Sequence, residues 1–131
     1  MFDNAKQTIC AMNRYFQSHA LDMAGKMIRV TRYYRWQEGA SFDREYYNKQ
    51  HMELTRDQLL PHGLMRLESD RMLSSRSPVP GEIIAESHAY FKSLEQAQAA
   101  MAAVGQILLG NASKYTNLQP EIRLSAVTAH I

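Results

Sequence analysis

An α+β fold follows from three features of this 131-residue sequence. Four runs carry the two-residue alternation of half-buried strands, and two longer stretches carry helical spacing. Pro-, Gly- and Ser-rich breaks separate them in the order β-α-β-β-α-β. The second helical stretch is rich in alanine, which lets it lie close to a sheet. This is the ferredoxin-like pattern, an antiparallel four-stranded sheet with two helices on one face. It occupies residues 27–131, and residues 1–26 form a separate N-terminal extension.

In that extension Ala5, Ile9, Met12 and Phe16 recur at helical spacing, which predicts an amphipathic helix from about Asn4 to Leu21 before Gly25. Met27 reads as an alternative start. The first strand runs from Met27 to Arg35, with Ile28, Val30 and Tyr34 on one face and Arg29, Thr31 and Tyr33 on the other. Arg32 is the odd member of the apolar face.

Asp43 then caps a helix that runs to Pro61-His62-Gly63, and Phe42 staples its start. Tyr47, His51 and Leu54 stand at i, i+4 and i+7, so a phenol and an imidazole share the face that Leu54 marks as buried. Leu64 to Leu73 forms the second strand. Residues 74–81 are a loop, and Ile83 to Phe91 is the third strand. In it Ala85, Ser87, Ala89 and Phe91 face one way, and Ile84, Glu86, His88 and Tyr90 the other. Ser93 with Gln96 makes a capping box for a second helix through Val104, and Gly105 and Gly110 bracket a short segment after it. The last strand runs from Glu121 to about Thr128.

Composition narrows the function classes. Hydrophobic residues are 45% and charged ones 21%, the profile of a folded globular chain rather than a disordered one. The net charge of +2 comes without a basic cluster, which argues against nucleic acid. No run approaches the ~18 apolar residues of a membrane span, so no membrane partner is expected, and a cytoplasmic location is. The single Cys10 rules out an internal disulfide and a Cys-based zinc site. His51 and Glu53 cannot both point inward at i, i+2, and neither Gly-x-Gly-x-x-Gly nor a phosphate loop is present. The expectation is therefore no metal and no cofactor.

The residues that invite chemistry are few. His51 is the candidate general acid or base, since imidazole titrates near neutrality, and Tyr47 can orient it or donate to an oxyanion. Tyr46 flanks the same region, Arg32 can hold a carboxylate or phenolate, and Tyr34 and Trp36 can line an aromatic wall. His88 faces the opposite side of the sheet unless a bulge turns it. Each has a plainer reading: His51 and Tyr47 as a hydrogen-bonded core pair, Arg32 as a snorkelling side chain, the aromatics as packing.

Phe42-Asp43-x-x-Tyr46-Tyr47-x-x-x-His51-Met52-x-Leu54 resembles the opening motif of the EthD family, named for ethyl tert-butyl ether degradation. Met27-Ile28-Arg29-Val30-Thr31, His88-Ala89-Tyr90-Phe91-x-Ser93-Leu94-Glu95 and Tyr115-Thr116-Asn117-x-x-Pro120 resemble later parts of that family in the right order. The resemblance implies a homodimer whose two sheets form an α+β barrel, with a small-molecule pocket between sheet and helices in each subunit. It also implies catabolic, monooxygenase-associated or polyketide-type chemistry, including oxidoreductase activity. Glu53 stands where the family often has Pro, and Arg32 where an apolar residue is common, which points to a more polar pocket.

Two functions follow as expectations. One is a cofactor-independent enzyme acting on a hydrophobic aromatic or polyketide-like ligand through His51 and Tyr47, by cyclisation, isomerisation, dehydration, decarboxylation or oxidation. The alternative is a non-catalytic accessory protein that binds an intermediate of a monooxygenase system.

Overall fold

The computed structural model describes residues 25–131, so the expected helix of the N-terminal extension lies outside the described residues. Four strands form one antiparallel sheet: β1 Met27–Arg35, β2 Arg66–Arg71, β3 Ile83–Phe91 and β4 Glu121–Val127, in the order β2-β3-β1-β4. Between β1 and β2 lies helix α1, built from Arg44–Tyr46, a π-helical turn at Tyr47–His51 and Met52–Leu59. It closes with a 3-10 turn at Leu60–His62. Helix α2, Leu94–Asn111, connects β3 to β4. The α+β ferredoxin-like order predicted above is the order observed.

The two strands rich in apolar alternation, β1 and β3, are central and match their expected limits residue for residue. β2 is shorter than expected, six residues rather than the run from Leu64 to Leu73, because it pairs on one side alone at the sheet edge. The core lies between sheet and helices. Ile28, Val30, Ala89, Phe91 and Leu124 from the sheet meet Leu59 of α1 and Ala97, Ala100, Val104 and Leu108 of α2. The alanines let α2 approach the sheet, as its composition implies.

Helix α2 corrects one reading. It continues through Gly105 and Gly110 to Asn111 instead of ending at Val104. Glycine in a helix interior costs about 1 kcal/mol relative to alanine, which weakens a helix without ending it. Burial of Val104 and Leu108 against the sheet outweighs that cost. Ser93 caps the helix, its Oγ accepting from the Gln96 N–H at 3.2 Å.

A second correction concerns Ile84. Pairing passes from Tyr34↔Ala85 to Arg35↔Ile83, so Ile84 is the extra residue of a β-bulge. The bulge turns Ile84 into the aromatic cluster around Tyr34 and Tyr47, away from the outer face where strict alternation puts it.

That outer face is polar and largely paired within the chain. Tyr90 Oη donates to Glu68 at 2.9 Å, and Arg66 pairs with Glu68. His88 stands between Thr31 (3.0 Å) and Asp70 (2.9 Å). Arg35 and Arg123 lie over the Tyr33 ring.

Gly63 ends the α1 region at φ +95°, the left-handed conformation that side chains disfavour. A Cβ there would meet only the flexible Gln96 amide, at 3.3 Å. Gly63→Ala is therefore expected to cost about 1–2 kcal/mol through backbone conformation. Urea unfolding should show a lower midpoint at unchanged slope.

Candidate functional site

The site begins with the π turn of α1. Asp43 starts the helix by accepting the Tyr46 N–H at 3.1 Å, as its position predicts. At Tyr47–His51 the helix widens, and the Met52 N–H reaches back to the Tyr47 carbonyl. A π turn has more residues per revolution than an α turn, so positions four apart come nearly into line. Tyr47 and His51 accordingly stack, centroids 5.8 Å apart and planes 15° from parallel. Both are buried, at 2% and 1% exposure. Thr55 Oγ1 donates to the His51 carbonyl at 2.8 Å and supports the widened turn.

His51 is held from two further elements. Its Nδ1 lies 2.8 Å from Asn111 Oδ1 at the end of α2, and its Nε2 lies 3.3 Å from the Tyr115 hydroxyl. With Asn111 oxygen as acceptor, Nδ1 carries the proton and Nε2 keeps a lone pair. The Asn111 amide nitrogen donates to Tyr46 Oη at 3.4 Å, and Tyr115 Oη shares a short hydrogen bond with Tyr34 Oη. Five polar side chains thus form one chain: Tyr46, Asn111, His51, Tyr115 and Tyr34.

Burial draws the His51 pKa down to about 4, opposed by the Asn111 bond and reinforced by the Arg32 charge. The imidazole is therefore neutral near pH 7. Burial likewise raises the Tyr115 and Tyr47 phenols above their ordinary value, so both stay protonated. Ser87 eases the Tyr47 shift, but no partner meets hydrogen-bond geometry with that buried hydroxyl among the described residues.

His51 also borders a cavity of about 290 Å³ between the sheet and α2. Val30, Arg32, Ser87, Ala89 and Ile122 line it from the sheet, Thr55 and Leu59 from α1, and Met101, Gly105 and Leu108 among others from α2. Gly105 presents no side chain there, and no atom lies within 4 Å of where one would begin. Arg32 reaches the cavity with Nε and Nη2 buried and unpartnered among the described residues. A wider groove of about 740 Å³ runs along β4 between Tyr33, Gln37 and Asn117, but it does not reach His51.

Of the residues singled out in the sequence, the cavity brings together His51 and Arg32. Tyr47 stacks behind His51 and does not itself line the space. Tyr46, Tyr34 and Trp36 correct the expected binding set. Tyr34 is fully buried in the hydrogen-bonded chain, Tyr46 stacks on Tyr115, and Trp36 packs against the edge of the same aromatic cluster. None of the three borders the cavity. His88 keeps the outer-face position that alternation gives it, since the bulge lies at Ile84, and it therefore drops out of the expected binding set.

Asn111 is a site residue that no sequence pattern marks, and Tyr115 opens one of the motifs quoted above without a role being assigned to it. Gly110 suggests a helix break just before Asn111, and Tyr115 lies in a loop without periodicity. Among the described residues, donor atoms of Asp70, Glu86 and His88 converge within 4.8 Å. His88 is already satisfied by Asp70 and Thr31, so the cluster reads as hydrogen bonding.

No family model and no curated protein matches the sequence. Among solved structures, the chain is similar to an EthD-like protein from Ralstonia eutropha JMP134. The two are 29% identical over 81% of this chain and 96% of that one, with a TM-score of 0.68. The chain thus resembles an EthD-like protein in both sequence and fold. It also matches an EthD family protein from Bacillus halodurans C-125, at 24% identity over 72% of this chain and 95% of that one, with a TM-score of 0.47. A dimeric ferredoxin-like protein of unknown function from Thermobifida fusca YX matches at 14% identity, 80% and 94% coverage and a TM-score of 0.49. No helix among the described residues is long and apolar enough to cross a membrane.

The buried imidazole has a measurable consequence. Folding lowers the His51 pKa from 6.5 to about 4, so the fold prefers the neutral ring. That contribution is complete above pH 6.5 and is lost as pH falls toward 4, amounting to about 3 kcal/mol. His51→Gln, which takes up no proton, should show a flatter urea-stability profile than the parent between pH 6.5 and 4. Parallel profiles would refute a neutral buried His51.

Proposed function

We propose that this chain is a cofactor-independent enzyme that moves a proton on a small hydrophobic metabolite, with His51 as general base and acid. One observation carries this reading: a neutral imidazole, buried yet bordering a cavity, beside a guanidinium with two nitrogens unpartnered among the described residues. A satisfied core histidine needs neither the cavity nor the cation.

In this reading His51 Nε2 exchanges its long contact with Tyr115 for a substrate C–H or O–H and takes that proton. The Nδ1–H held by Asn111 fixes the tautomer and supports the imidazolium that forms. Arg32 faces the negative charge left on the substrate. The same proton then returns to a different atom, which gives isomerisation. Expulsion of hydroxide from the carbanion, protonated by the His51 imidazolium, gives dehydration, and attack by the carbanion on an internal carbonyl gives cyclisation. In a decarboxylation the carboxylate instead loses carbon dioxide first, and the carbanion left behind takes a proton from the imidazolium form of His51. Tyr47 supports the ring by stacking, and the apolar walls favour an aromatic or polyketide-like body. Oxidative catabolism, which the family resemblance suggests, would need dioxygen as a second substrate to take the electrons of the same carbanion.

The test works before the natural product is identified. Cavity-sized ketones, lactones and aromatic acids are incubated with the protein in D2O, and deuterium incorporation is followed by NMR. Exchange should depend on the protein and fall by about 10²–10⁴-fold in His51→Gln. Tyr115→Phe should exchange more slowly without losing ligand affinity. A ligand bound in the cavity without exchange or turnover would instead make this chain an accessory binder.

The outer sheet face is proposed as the seam of a homodimer. Arg66 paired with Glu68, and Arg123 over Tyr33, place both signs of charge on this face beside the Asp70 carboxylate, so a twofold-related copy can meet it with opposite charges. Light scattering should give twice the chain mass of 15.0 kDa. Glu68→Arg with Asp70→Arg should halve it.

A further inference from the structure

We infer that the ligand of the α2 cavity carries a carboxylate, which Arg32 grips through the edge formed by its Nε and Nη2. This rests on the cavity being the functional site, and it specifies what enters.

Two side-chain nitrogens of Arg32 are buried and unpartnered among the described residues, Nε and Nη2. Their N–H bonds run parallel along one edge of the guanidinium, the edge that matches the two oxygens of a carboxylate. A phenolate or enolate offers a single oxygen and would leave one of them unmet. Leaving charged donors buried and unpaired is costly, so a structure that keeps them prepares a place for an anion.

The surroundings agree. Among the described residues that line the cavity there is neither aspartate nor glutamate, so no wall residue neutralises Arg32. Ser87 and Thr55 add hydroxyls to the lining, while Val30, Leu59, Ala89, Met101, Leu108 and Ile122 make most of the remainder apolar. A volume of about 290 Å³ lies at the lower limit of small-molecule sites, about 300–1,000 Å³. The occupant is therefore a small monocarboxylate with an apolar body. Its carboxylate would be fixed at Arg32, and its neighbouring atoms brought toward His51.

The position of Arg32 makes this a marked exception. It lies in the central strand β1, on the face that Ile28, Val30 and Tyr34 otherwise fill with apolar surface. Its β1–β3 partner is Ser87, a small residue that leaves room beside the guanidinium. A larger apolar residue in place of Ser87 would fill that space.

The experiment compares acids with their neutral amides: benzoate with benzamide, phenylacetate with phenylacetamide and cyclohexanecarboxylate with its amide. Binding to the full chain is measured by calorimetry and by NMR shifts of cavity methyl groups. The acids should bind at least about tenfold more tightly than the amides, as expected for a charge-assisted bidentate pair. Arg32→Met should abolish that preference while leaving amide binding in place. Arg32→Lys, which keeps the charge without the fork, should restore a minor part of it. A urea midpoint for Arg32→Met at or above that of the parent shows that the fold survives, since an unpaired buried cation has been removed.

Equal affinity for acids and amides, or a preference that survives Arg32→Met, would overturn the inference. The proposed activity fails separately. Neutral ligands that exchange a proton through His51 while acids are excluded would sink the carboxylate site and keep the acid/base reading. Acids gripped by Arg32 without any His51-dependent exchange would do the reverse.

Discussion

Tyr115 joins the parts of this structure that the chain itself keeps far apart. Its hydroxyl bridges His51 of α1 and Tyr34 of β1, and its ring contacts those of Phe42, Tyr46 and Tyr47. Its carbonyl accepts the Asp43 N–H at 2.7 Å, and next to it Thr116 pairs with Phe42 and donates to the Ser41 carbonyl. The start of α1 is thereby clamped to the end of the α2 region. Without that clamp the π turn would lose a fixed partner, and His51 a defined orientation. One buried phenol therefore supports both the packing of a helix and the geometry of an imidazole.

The site divides into a reactive side and a packing side. Tyr34, Tyr46, Tyr47 and Phe42 surround Tyr115 in edge-on, tilted and stacked contacts and shield the hydrogen-bonded chain from water. On the other side His51 opens to a cavity where Arg32 presents unpaired donors. Low polarity on the first side acts on the second in two ways. It keeps the imidazole neutral, with its lone pair free, while weakening it as a base. It also lets a desolvated cation stabilise charge strongly. The two groups also oppose one another's charge, since the Arg32 field is part of what keeps His51 neutral. An anion between them would relieve that opposition.

Much of the fold is legible in the sequence. β1 and β3 show their alternation clearly because both are central strands with one face buried against the helices. The caps at Asp43 and Ser93 are readable because capping depends on one side chain and its own backbone. The edge strand β2 and the end of α2 are less so. Edge pairing and helix continuation through glycine depend on neighbours that the local sequence does not name. Ile84 shows the same limit, since a single bulge reverses which way a residue points.

By itself the sequence determined the order of elements, the inward pairing of Tyr47 with His51 and the unusual cation in an apolar strand. These are short-range properties of spacing and side-chain type, carried by residues a few positions apart. The tertiary structure alone decided which of the candidate residues share a cavity. Arg32 and His51 meet there from different elements, while Tyr34, Tyr46 and Trp36 are packed away from it and His88 is turned to the far face. It also supplied Asn111 and Tyr115, which lie 60 and 64 residues along the chain from the histidine they hold. Hydrogen bonds over such separations depend on how sheet and helices close around the core, which no local pattern encodes.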